Sequence, residues 1–169
     1  IYGEAIAIAI HGGPPDLDHF SLITERCVLT GIYGTPVDST FLTAAVGDRY
    51  SNPTVPGTVV YFSSTCGVIV GSARTDSLGL CRVLLRSSNP WPVDGVDTIT
   101  AQTVDWNDEE ITTENYVLVT GPTRVTFDAA GGYQIPFGSS QDFTITIADT
   151  FDHPLTAGTT VLISAVGLD

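Results

Sequence analysis

Five oxygen-bearing side chains crowd into the six residues Asp105, Trp106, Asn107, Asp108, Glu109 and Glu110. Carboxylate and amide oxygens of this kind suit Ca²⁺, which takes about six to eight of them. The run lacks the glycine and spacing of an EF-hand loop. The chemistry to expect is therefore an ad hoc calcium site built from Asp105, Asn107 and Asp108, with Asp48 supplied by a second loop; the alternative is a solvated acidic turn. Such an ion would stiffen a junction by neutralising like charges. The only tryptophans, Trp91 between Pro90 and Pro92 and Trp106 inside the acidic run, both fall on loops. An indole there either stacks on a sugar or covers the end of the fold.

Three cysteines without a Cys-x-x-Cys pair argue against a zinc knuckle or a thioredoxin-like motif. In an oxidising compartment they read as one disulfide and one thiol. Of the three pairings, Cys27 with Cys66 is preferred, because the ends of the strands that carry them should meet at one pole. Cys81 is in phase with Val83 and Leu85 and is expected to be a buried thiol. The histidines are His11, His19 and His153. Two of them lie at expected module junctions, no Gly-x-Ser-x-Gly elbow or phosphate-cradling loop occurs, and no two stand at metal-ligand spacing. With 19 acidic residues, pairs of carboxylates carry no information about a glycosidase. The expectation is a non-enzyme with no cofactor beyond structural Ca²⁺.

Six basic residues, all arginine, against 19 acidic ones give a net charge of −13, which repels phosphate and anionic headgroups. Neither nucleic acid binding nor membrane insertion is expected, since no apolar run approaches the roughly 20 residues of a spanning helix. The chain contains no methionine and reads as a piece of something larger.

The elements that must position these groups are strands. Threonine and valine are abundant among 17 glycines and 10 prolines, and period-2 alternation recurs at Leu42, Ala44 and Val46, at Cys81, Val83 and Leu85, and at Phe143, Ile145 and Ile147. The expected core adds Val60, Phe62 and Ile99. Residues 47–63 align without a gap on 148–164 at an offset of 101, with Asp48 on Asp149, Pro53 on Pro154 and Gly57 on Gly158. The preceding strand follows in phase, and the Gly-Pro step after 5–10 is echoed after 116–120. These relations divide the chain into the last strand of a preceding module (1–12), one complete module (13–120) and the N-terminal half of a following one (121–169). An all-β, immunoglobulin-like antiparallel sandwich is the expected fold of each.

The run from Asp48 through Asn52-Pro53, the Pro56-Gly57-Thr58 turn and the strand to Ser63, then the stretch from Ala73 to Gly79, the strand from Cys81 to Leu85 and the run from Thr98 to Ala101 together resemble bacterial Ig-like group 1 domains of the invasin and intimin type. The resemblance covers nearly all of 14–120 and half of such a domain over 121–169. It implies a tandem array of rigid stalk units in cell adhesion, on a bacterial cell surface or secreted, with neighbouring modules of the same chain as partners and a host or surface glycan or protein as ligand. Cys66 and the acidic run 105–110 depart from the pattern. The alternative is a carbohydrate-binding or accessory domain of a larger secreted enzyme. The half module is expected to expose an apolar face and to favour self-association by strand exchange.

Overall fold

A computed structural model describes residues 12–31, 37–128 and 135–164. The expected strand at 5–10 and His11 fall outside the described residues. Nine strands form the central unit: β1 (Phe20–Thr24), β2 (Val28–Thr30), β3 (Ser39–Val46), β4 (Val59–Ser64), β5 (Val68–Ile69), β6 (Ser72–Arg74), β7 (Leu80–Arg86), β8 (Val96–Val104) and β9 (Glu110–Thr120). They make one sheet of order β1-β3-β7-β5 and another of order β2-β9-β8-β4-β6. The chain is all-β, and the central unit is an immunoglobulin-like sandwich. Among the described residues no helix is long and apolar enough to cross a membrane.

The first strand serves both sheets. β1 runs antiparallel to β3, the chain turns at 25–27, and β2 then pairs parallel to the end of β9. Arg26 fixes this switch: its backbone N–H donates to Thr40 Oγ1 and its guanidinium donates to both carboxylate oxygens of Asp38 at 2.7 and 2.8 Å.

The nine core residues expected within 13–120 are all buried, from Leu42, Ala44 and Val46 on β3 to Ile99 on β8. Alternation on facing strands of both sheets closes one interior, with Phe20, Leu22, Leu29, Ala101, Ile111 and Val117 completing it.

Beyond Thr120, β10 (Thr123–Phe127) and β11 (Ile145–Asp149) form a separate antiparallel pair. Val125 faces Ile147 as Phe20 faces Val46 on β1 and β3. Residues 160–164 align with 59–63 of β4 in sequence but form no strand, and Leu162 is 91% exposed. β4 is held by β6 and β8, and no described residue supplies those partners to 160–164.

Candidate functional site

Four aspartates open the same five-residue turn. In Asp48, Asp76, Asp105 and Asp149 the backbone N–H donates to the carbonyl four residues on at 2.8 to 3.0 Å, and the residue three on donates back to the aspartate carbonyl at 2.9 to 3.3 Å. The carboxylate Oδ1 accepts the N–H groups of the second and fourth following residues at 2.7 to 3.0 Å. The residue three on is left-handed in every copy: Ser51 (φ 65°), Gly79 (72°), Asp108 (61°) and Asp152 (66°). A short carboxylate can take two N–H groups while the chain reverses, which is why aspartate begins such turns. In the central sandwich the turns of Asp48, Asp76 and Asp105 link β3 to β4, β6 to β7 and β8 to β9, and all lie at the end where the chain enters.

Two of the four turns do more. Asp48 Oδ2 also accepts the N–H of Gly13 at 2.8 Å, and Asp149 Oδ2 that of Gly121 at 3.0 Å. Each carboxylate is buried, at 4% and 0% exposure, and each clamps the Gly-Pro segment that leads into its own strand pair. A contact to the turn repeats as well: His19, just before β1, meets Ser51 Oγ through Nε2 at 2.8 Å, and at the corresponding place Arg124 of β10 pairs with Asp152. The Gly13 N–H, with those of Asn52 and Tyr50, holds the Asp48 carboxyl well below its ordinary range against the opposing effect of burial. For Asp149 burial acts upward, but the N–H groups of Gly121, His153 and Phe151 outweigh it and the pKa is lowered.

The proposed calcium ligands sit close together at this end without converging. Asp105, Asn107 and Asp108 form an exposed hairpin turn closed on itself, with Asn107 Nδ2 donating to Asp105 Oδ2 at 3.4 Å. Asp48 faces inward, its oxygens taken by Gly13, Tyr50 and Asn52. Among the described residues no group of three His, Cys, Asp or Glu side chains converges as metal ligands would.

Trp106 is 71% exposed and borders a cleft of about 300 Å³ with Pro14, Pro15, Arg49 and Tyr50. The Arg49 guanidinium lies 4.8 Å from the centre of the Tyr50 ring. Trp91 is at the opposite end and half-buried, so close to Gly31 that a Cβ there would lie 3.2 Å from its Cζ3. It covers the end of the sandwich and leaves Trp106 as the exposed indole.

The expected bond between Cys27 and Cys66 is not formed; all three cysteines are free thiols. The Cys27 carbonyl accepts the Leu118 N–H on β9, while the Cys66 N–H donates to Asp97 at the start of β8. Both residues are at the exit end, but β9 and β8 lie between them. Three strand spacings amount to roughly 14 Å, about twice the Cα separation that a disulfide spans. Cys81 is buried as expected, and burial pushes its thiol up to about 11.

Two groups escape a reading of residue types alone. Asp97 is fully buried and accepts from Ser64 Oγ, Thr65 Oγ1 and Cys66 N–H at 2.7 to 3.0 Å, so it organises the turn after β4. Asp76 belongs to the repeated turn; the shared signal is an aspartate followed three residues later by Gly, Ser or Asp.

No family model and no curated protein matches the chain. Among solved structures it is similar to the D0-D1 domain of intimin, at 19% identity and TM-score 0.44 over 60% of this chain and 48% of that one. It is also similar to a C-terminal 282-residue fragment of intimin in complex with the translocated intimin receptor (Tir) intimin-binding domain, at 16% identity and TM-score 0.47 over 76% of this chain and 45% of that one. The chain thus spans about half the length of each.

Proposed function

We propose that residues 13–120 are a non-catalytic Ig-like spacer of the invasin and intimin type, one unit of a tandem series in a bacterial cell-surface or secreted adhesion protein. The observation that carries this reading is the duplicated clamp, Gly13 on Asp48 and Gly121 on Asp149. A stalk needs each unit to set the direction of the next, and a buried carboxylate that takes the linker N–H removes that freedom at the junction itself. The sequence repeat at an offset of 101 residues supports the same reading, because the turn, its left-handed residue and the clamp recur together. The carboxylates most suggestive of chemistry are engaged by backbone N–H groups, which favours a structural over a catalytic role.

On this reading 1–12 ends a preceding unit and 121–169 begins a following one. Protease shaving of intact producing cells, followed with an antibody to 13–120, tests it. Release of the epitope from unbroken cells, or its recovery in the medium, is expected; confinement to the cell interior would overturn the proposal.

A further inference from the structure

The junction that follows the central sandwich has a seat. Phe151 and His153, from the Asp149 turn, lie against Gly95, where an added Cβ would stand 2.8 Å from His153 Nδ1 and 3.0 Å from the Phe151 ring. Gly95 is left-handed (φ 78°) and immediately precedes β8. The tip of that turn must therefore be free of a side chain for the aromatic pair to sit on it. At the entry end the corresponding turn carries Tyr50 in the place of Phe151 and Asn52 in the place of His153, on the same aspartate clamp. There the ring is 68% exposed, beside Arg49, Trp106 and the two prolines of the cleft.

We infer that this cleft is the seat for the left-handed glycine turn of the preceding Ig-like module, with Tyr50 resting on it as Phe151 rests on Gly95. The inference builds on the tandem reading proposed above and names the partner of its open end. A bare glycine tip lets an aromatic face approach the backbone closely, and Arg49 stands ready to donate to the carbonyls of such a turn. Because Gly95 lies 26 residues before Gly121, the preceding module should carry its glycine about the same distance before Gly13, at the start of a strand.

A lengthened chain tests this, in which a second copy of 13–120 is placed directly ahead of Gly13 of the whole chain, so that Thr120 again leads into Gly-Pro. Backbone ¹⁵N relaxation reads both junctions. The two copies of the sandwich are expected to share one rotational correlation time. Tyr50→Ala in the downstream copy should abolish that sharing, as should Gly95→Val in the upstream copy, whereas Tyr50→Phe should keep it. Tyr50 joins the turn through its backbone N–H and a ring contact with exposed Arg49, and its ring lies outside the core, so its substitution is expected to leave the fold intact, which an unchanged melt would verify. Sharing that persists in Tyr50→Ala overturns the seat. If the native junction at Gly95 is coupled and the new one is not, the seat alone fails; if neither is coupled, the spacer reading fails with it.

Discussion

The carboxylate of Asp48 and the backbone N–H of Gly13 meet at 2.8 Å across 35 residues of sequence. This single bond ties the strand-to-strand turn at the entry end to the segment that precedes the first strand. Its counterpart between Asp149 and Gly121 ties the next strand pair in the same manner.

Asp48→Asn keeps the volume but turns an amide donor toward donors, leaving a buried N–H group without its acceptor. The expected outcome is a lower Tm for the central sandwich and faster hydrogen exchange at Gly13. Asp149→Asn should speed exchange at Gly121 and leave the main transition in place. Unchanged exchange at both glycines would show that the clamps do not hold in solution.

Acid should weaken the fold. Asp38 is drawn upward by burial, but Arg26 and the N–H groups of Thr30 and Ser39 lower it from 3.8 to about 2, and Asp48 and Asp149 are lowered also. Groups whose folded pKa lies below the unfolded value contribute stability that is complete above the unfolded value and lost as pH falls through the folded one. Melts should be flat from neutrality to about pH 4 and then decline toward pH 2. Asp38→Asn should make that decline shallower, and a Tm independent of pH from 5 to 2 would refute the assignment.

Thiol counting on the unfolded protein should give three free cysteines. In the native state exposed Cys27 should react first with a maleimide and half-buried Cys66 more slowly, its thiol also being raised by burial. Cys81, with its thiol near 11, should stay protected until the sandwich opens. A count of one would reinstate a disulfide.

Calcium at the acidic turn is decided by two variants. Asp108→Gly removes a carboxylate and relieves a left-handed residue, and is expected to be neutral or stabilising by up to about 1 kcal/mol. Asp105→Ala removes the acceptor of two turn N–H groups and should destabilise by about 1 kcal/mol or more. Tm should be the same in chelator and in millimolar Ca²⁺ for the unaltered chain. A rise with Ca²⁺ that either variant abolishes would establish the site.

The pair β10 and β11 carries Val125 at 60% and Phe127 at 50% exposure, and residues 161–163 are exposed as well. Apolar surface of this kind on a two-stranded unit favours association. Sedimentation should show self-association of the whole chain that rises with concentration and is weakened by Val125→Asp with Phe127→Ser. A chain ending at Thr120 should remain monomeric, and equal behaviour of the two would refute the role of the second unit.

Alternation of Leu42, Ala44 and Val46, of Cys81, Val83 and Leu85, and the offset of 101 between the Asp48 and Asp149 runs are legible in the sequence alone. Strand phase and turn chemistry are local properties, carried by neighbours in sequence, so they determine which side chains face inward and where the chain reverses. Which strands stand between two cysteines is not local: β9 and β8 separate Cys27 from Cys66 because the first strand crosses to the second sheet at Arg26. Nor could residue type distinguish Asp48, turned inward on Gly13, from Asp105, which opens the same turn toward solvent. That difference arises only when the linker is brought against the turn, since a carboxylate becomes a clamp when a distant N–H reaches its second oxygen.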